Sequence, residues 1–387
     1  MSRAVISSLD MIARLVRFDT TSRESNLALI DFVRDYLDGW AIASELVFDA
    51  ERRKANLYAT IGPDDRGGII LSGHTDVVPV DGQAWDSDPF VVSEKRGALY
   101  GRGTADMKSF IAVALSLVPE FVANRLETPV HLAFSYDEEI GCIGVRSLIA
   151  RLKERPVRPR ACIVGEPTMM RPVAAHKGIM GVRCHVRGLE SHSALAHQGV
   201  NAVEAAAEIV AYLKGMARRK RDHGPFDPGF SPPYTTIHTG TIGGGTVLNI
   251  VPRDCRFNFE FRNIPEDDPA VLFAEIRRHA ETALLPEMRA VSTATAITFE
   301  EINAVSAFDM PADHQLLRMA QELAGANSVG KMSYCTEAGL FQEAAIPTVI
   351  CGPGSIEVAH KPNEHIAVAQ ALQCERFMRR LMNRLVH

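Results

Sequence analysis

Hydrophobic periodicity changes twice along this chain, and those two changes constrain its fold more than any single motif. Up to about Gly178 the pattern alternates between a helical and an extended period. Ile6, Leu9, Ile12, Leu15 and Val16 recur as one helical face, and Leu27, Ile30, Val33 and Leu37 as another. Strand-like apolar runs follow at 56–61, 68–72, 130–135 and 161–164, with a helical stretch at 108–122 between two of them. Alternation of this kind predicts a mainly parallel sheet flanked by helices, the α/β class. Beyond Gly178 the runs 182–186 and 255–261 alternate as half-exposed strands do. There 201–216 and 268–285 read as long helices, and 295–300 as a further strand. Helix–strand alternation resumes after Asn303 through 312–324, 348–350 and a C-terminal helix from Val368. The 387 residues exceed one ordinary core. The expected organisation is a catalytic domain in two parts, 1–180 and 303–387, split by a smaller inserted α+β domain at 181–302.

A formal net charge of −5 argues against a nucleic-acid or anionic-membrane partner. The basic runs at 52–54 and 218–221 read as solvated surface. Asp10 and Arg14 interrupt the first apolar residues, so the beginning does not read as a signal peptide. No run reaches the roughly 18 apolar residues of a membrane span. The seven cysteines are scattered with no C-x-x-C pair, which predicts reduced, buried thiols and a cytoplasmic protein.

Five segments share a chemical property: each ends a strand-like run or follows one, and each presents His, Asp or Glu. They are Ser72-Gly73-His74-Thr75-Asp76, Gly101 through Lys108 with Asp106, Ser135-Tyr136-Asp137-Glu138-Glu139, Gly165-Glu166-Pro167, and Gly352-Pro353-Gly354 through His360. In an open α/β sheet the carboxyl ends of the strands face the ligand crevice, so these segments are expected to converge. Two histidines and three carboxylates can hold two divalent ions with one carboxylate shared. Imidazole with carboxylate suits zinc, and also cobalt or manganese. Asp76, two residues after His74, can accept the other ring N–H. Of the adjacent Glu138 and Glu139, one can ligate while the other takes a proton from water. His131, His176 and His185 lie in strand-like runs and read as packed rather than ligating.

With these segments in place the chain resembles the zinc aminoacylase and deacetylase family, which also holds desuccinylases and related carboxypeptidases. The pieces that carry the resemblance are Leu99-Tyr100-Gly101 through Lys108, Ala175-His176-Lys177-Gly178, Gly199-Val200-Asn201-Ala202, Tyr334-Cys335-Thr336-Glu337-Ala338, and Gly352-Pro353-Gly354-Ser355-Ile356 followed by Ala359-His360. The resemblance implies that His74 and Glu166 bind one metal, Glu139 and His360 the other, and that Asp106 bridges them through a cis Asp106–Met107 peptide. Glu138 is then the general base and later proton donor, and Asp76 orients His74. In the insert it implies Asn249 and Arg262 as substrate-binding residues, Arg262 gripping an α-carboxylate, and His192 as an oxyanion donor. Glu190-Ser191-His192-Ser193 departs from the family pattern, which has a glycine ahead of this histidine, and His197 is the alternative. Glu337 is expected to select a cationic side chain, or else to cap the helix that starts near Ala338. The implied reaction is metal-dependent hydrolysis of an N-acyl-L-amino acid, with N2-acetyl-L-ornithine the leading substrate. Succinyl-diaminopimelate or a broad set of acyl amino acids are the alternatives. The implied cofactors are two divalent ions per subunit, zinc or cobalt. The implied assembly is a homodimer joined through the inserted lid.

Overall fold

The structure is a computed structural model and describes residues 5–386; Met1–Ala4 and His387, the outermost parts of the expected catalytic ranges, lie outside the described residues. The chain forms two compact units. The first comprises Met1–Ala175, Met310–Gly330 and Thr336–His387, and the second His176–Asp309 with Lys331–Cys335.

In the first unit the strands run in the order Ser44–Phe48, Ala55–Ile61, Val130–Ser135, Ile69–His74, Ala161–Pro167 and Thr348–Gly352. The last four are mutually parallel, and the first two join the edge antiparallel. Apart from the half-buried edge strand Ser44–Phe48, their residues are almost all buried, as strands covered on both faces are. The strands Ala161–Pro167 and Thr348–Gly352 approach closely: a Cβ on Gly352 would lie 1.9 Å from the Gly165 carbonyl oxygen. Helix Lys108–Ser116 is buried on every side. The single helix expected over 108–122 is broken, because a second helix, Val118–Ala123, starts with Pro119 near its first turn. Proline has no N–H with which to continue the ladder. The amphipathic helices Ser8–Val16 and Leu27–Gly39 bury Ile12, Leu15 and Val16, and Ile30, Val33 and Leu37, of the stripes read from the sequence, together with Met11 and Leu29, while Ile6, Leu9 and Leu27 are half-buried.

The second unit is a four-stranded antiparallel sheet in the order Thr236–Gly244, Asp254–Arg262, Ile179–Arg187 and Ala296–Val305. Val182, Cys184, Val186, Phe257 and Phe261 point into a core with Ile209 and Leu213 of the helix Ala202–His223. That helix runs past the expected end at 216 and takes in the basic run at 218–221. Its last turns are held by Lys220–Asp267 and Arg219–Glu275 ion pairs, and cations at a helix C-terminus suit its dipole. The helix expected over 268–285 starts at Pro269, capped by the Asp268 side chain. It passes through a π turn at Ala280–Leu284 and ends as Leu285–Val291. Lys331–Cys335 groups with this unit through the Lys331–Asp227 ion pair and the Ser333 hydroxyl, which donates to the Ser231 carbonyl. No helix among the described residues is long and apolar enough to cross a membrane.

Candidate active site

The carboxyl ends of the parallel strands bring the predicted groups of the first unit together. His74 is the last residue of its strand and Glu166 the sixth of its own; both are buried. Asp106 precedes helix Lys108–Ser116, and the Asp106–Met107 peptide is cis. Strand Val130–Ser135 leads into Asp137, whose φ of 55° turns the chain out of the sheet. Aspartate tolerates this left-handed region better than most residues, and the Lys54 ammonium holds it at 2.6 Å. Glu138 and Glu139 therefore leave the strand together rather than pointing to opposite faces. Gly354, at φ 89°, lets the loop that carries His360 pass against Ala105, where a Cβ would sit 3.2 Å from the Ala105 Cα.

The two oxygens of Asp106 diverge. Oδ1 lies 3.0 Å from His74 Nε2, and Oδ2 lies 3.2 Å from His360 Nε2. His360 Nε2 is also 3.1 Å from Glu139 Oε2, and His74 Nε2 is 3.8 Å from Glu166 Oε1. Ligand atoms of His74, Asp106 and Glu139 lie within 4.8 Å of one another, and so do those of His74, Glu138 and Glu166. Glu138 Oε1 additionally accepts the Cys142 thiol at 3.3 Å.

The role of Asp76 differs from the expectation in detail. His74 Nδ1 faces the Asp76 backbone carbonyl at 3.0 Å, nearer than the Asp76 carboxylate at 3.6 Å. The carbonyl thus fixes the ring and leaves Nε2 for Asp106. The carboxylate is used elsewhere: Oδ1 accepts the Glu138 N–H (3.0 Å), while Oδ2 accepts the Glu139 N–H (3.2 Å) and the Ser22 hydroxyl (2.7 Å). Asp76 therefore holds the loop that presents both glutamates.

Glu337 corrects the sequence reading. It is 1% exposed, and its carboxylate accepts the hydroxyls of Ser72 (3.1 Å) and Ser135. A carboxylate enclosed by two strand serines does not contact a substrate side chain, and it makes no side-chain cap to helix Ala338–Glu343 either. Sequence spacing gave no sign of this, because Ser72 and Ser135 lie more than 200 residues away.

The electrostatics are those of carboxylates crowded away from water. Burial pushes Glu139 up to about 7, with the Asp106 charge adding to it. Glu138 and Glu166 are raised well above the usual carboxylate range by the same desolvation, reinforced by neighbouring carboxylates. His360, bonded to Asp106 and Glu139, is raised to about 10. Asp76, Asp106, Glu138, Glu139 and Glu166 are five carboxylates against two imidazoles. Glu139 Oε1 and Glu166 Oε1 are buried with no hydrogen-bond partner. Unpaired buried oxygens are costly, and two divalent cations would satisfy both. The donor set fits zinc-type ions.

A family model described as Peptidase family M20/M25/M40 matches residues 70–384. The chain belongs to this family. Among curated relatives, an acetylornithine deacetylase of Pasteurella multocida is 32% identical, covering 95% of this chain and 92% of that protein. One of Myxococcus xanthus is 35% identical, covering 95% of each. A solved M20 metallo-carboxypeptidase of Sulfolobus solfataricus superposes with a TM-score of 0.77 at 16% identity, over 98% of this chain and 99% of that one. The dinuclear metal-binding M20 peptidase YXEP of Bacillus subtilis gives a TM-score of 0.67 at 16% identity, over 98% and 97%. The M20 fold is thus present throughout, and the chain is a metal-dependent amide hydrolase.

In the second unit the structure brings two of the three predicted substrate residues together. His192 bridges to Ile250, and the Ser193 N–H donates to the Asn249 carbonyl at 3.0 Å. His192 and Asn249 are exposed, as is the alternative His197. Arg262 stands apart. It ends the strand that begins at Asp254, where the His192–Asn249 loops emerge. The strand is nine residues long, so its two ends lie roughly 27 Å apart. The Arg262 guanidinium lies against Glu260, with Nε donating at 3.0 Å.

Proposed function

We propose that this enzyme hydrolyses N2-acetyl-L-ornithine to L-ornithine and acetate, a step of arginine biosynthesis, in the cytoplasm. The divergence of the two Asp106 oxygens toward His74 and His360 is the observation that carries the reading. A carboxylate placed so is suited to be shared between two ions. In this reading His74 and Glu166 hold one, and Glu139 and His360 the other, with zinc bound or cobalt in its place. When bound, such a pair polarises a carbonyl and acidifies water.

The chain's own groups do the rest. Glu138, held by its N–H on Asp76 and raised by burial, takes a proton from the attacking water and passes it to the leaving nitrogen. Arg262 grips the α-carboxylate with its planar fork, after exchange from Glu260. His192 donates to the oxyanion. The relatives' name supports acetylornithine as the substrate.

Assembly enters because of distance. A separation of roughly 27 Å along one strand far exceeds an acylated amino acid. A substrate held by Arg262 therefore meets His192 and Asn249 only from a second copy, which makes the insert a dimerisation domain and lid. Its edge strand Thr236–Gly244 is largely exposed, and Leu248 beside Asn249 is fully exposed. Both features suit a face that another chain covers.

The test is kcat/KM for N2-acetyl-L-ornithine, N-succinyl-diaminopimelate and N-acetyl-L-methionine, with metal content determined on the same sample. Acetylornithine is expected to lead by at least tenfold at about two ions per chain. A preference for either other substrate would overturn the assignment.

A further inference from the structure

Glu364 lies four residues beyond His360 and is 1% exposed. Its Oε1 accepts two backbone amides, those of Ala105 (2.8 Å) and Asp106 (3.1 Å), so it grips the backbone that presents the shared carboxylate. Its Oε2 accepts Arg102 Nη1 at 2.6 Å, and Arg102 is equally buried. The other arm of that guanidinium, Nη2, donates to Gln83 Oε1 at 2.6 Å. Gln83 Nε2 then donates to the His360 carbonyl at 2.9 Å. Trp85 closes the arrangement: its Nε1–H donates to Gln83 Oε1 (3.1 Å), and its ring lies 5.1 Å from the Arg102 guanidinium carbon.

The chain of bonds thus starts on the Asp106 amide and ends on the His360 carbonyl, two groups whose side chains meet at 3.2 Å. A fully buried ion pair is seldom the cheapest way to hold a fold together, since desolvation offsets much of its attraction. Here Glu364 spends its second oxygen on the backbone that carries Asp106, and Arg102 reaches the loop that carries His360 through Gln83.

We propose that Glu364, Arg102 and Gln83 form a positioning clamp that sets the spacing of Asp106 and His360, and so the affinity for the ion that Glu139 and His360 would hold, here called the second. This rests on the ligand reading given under Proposed function. The clamp residues act through the backbone of the groups that bind metal, and residues in such positions typically change metal affinity by about 10–100-fold.

The experiment titrates zinc into the metal-free full chain against a chromophoric chelator, with thermal melting of each metal-free variant alongside. Gln83→Ala cuts the link from Arg102 to the His360 carbonyl, together with the Trp85 indole bond, at a half-buried side chain. It should weaken the second ion about tenfold, leave the first within about threefold, and leave the melting temperature near that of the parent. Glu364→Gln removes the charge facing Arg102 and should weaken the second ion by about 10–100-fold, with a smaller loss at the first, because Asp106 serves both. A merely structural role would lower the melting temperature while the ratio of the two affinities stayed unchanged. Wild-type affinities for both ions in folded Gln83→Ala and Glu364→Gln would overturn the clamp. If Glu364→Gln does not fold, unchanged affinities in Gln83→Ala alone overturn it. A wild-type chain that takes up fewer than two ions would instead overturn the ligand reading beneath it, which is a distinguishable failure.

Discussion

The two units place functional groups in opposite ways. In the first, His74 and Glu166 are buried at strand ends and Asp106 ahead of a helix, and the His74 ring and the Asp106 backbone are held by neighbours within the same unit. In the second, His192 and Asn249 stand exposed on adjoining loops, and Arg262 is turned onto Glu260. The first unit keeps its geometry because the hydrogen bonds that fix it are internal. Asp76 alone anchors two backbone amides and a serine. The second unit presents its groups on the surface rather than enclosing them, which suits the proposed reading in which a second copy completes the site. The contrast separates chemistry, which needs sub-ångström placement, from recognition, which tolerates closure of a loop.

The sharpest way to break that contrast is to disable the fixed region without emptying it. Glu138→Gln should retain both ions and substrate affinity while kcat falls about 10²–10⁴-fold, the range of a lost general base. A kcat within threefold of the parent, with metal retained, would remove Glu138 from that role.

Mixed dimers probe the exposed region. Glu138→Ala and His192→Ala should each be inactive alone. If His192 acts on the partner's site, a refolded equal mixture should recover about a quarter of parental activity, because half the dimers are mixed and each has one complete site. No recovery, with mixed dimers confirmed by mass, would confine each site to one chain.

A smaller effect reports on burial in the first unit away from the acidic centre. His131 is 5% exposed, stacked on Tyr58, and lowered to about 4 by burial and then by Arg155. Its folded pKa lies below the unfolded value near 6.5, so the unfolded chain binds more protons between those limits. Stability is therefore lost as pH falls from about 6.5 to 4, by up to about 3 kcal/mol from this residue. His131→Leu should flatten that part of the stability–pH curve whatever its effect at pH 7. An unchanged slope would show that His131 is not held neutral.

Much of this organisation was legible before the structure, and for physical reasons. Strand Val130–Ser135 and the start of helix Val368–Leu385 stand out because apolar runs and stripes mark them directly. The convergence of His74, Asp106, Glu139, Glu166 and His360 was legible because strand ends and motif chemistry coincide. Strand Thr236–Gly244 was not, since three of its nine residues are glycine and its exposed edge has no apolar alternation to read. The Glu364–Arg102–Gln83 chain was also hidden. Each member is an ordinary polar residue in sequence, and only tertiary proximity gives it a role. Glu337 misled because a carboxylate in a motif segment ahead of a helix reads as lining the pocket or capping the helix, whereas here two strand serines satisfy it in the interior.

X-ray absorption, together with anomalous diffraction, of the zinc-loaded enzyme addresses the shared carboxylate most directly. Two ions about 3.5–4 Å apart are expected, with Asp106 common to both, His74 and Glu166 on one, and Glu139 and His360 on the other. Glu138 should remain outside both coordination shells. A single ion, or a pair in which Glu138 is a ligand and Asp106 is not shared, would contradict the assignment.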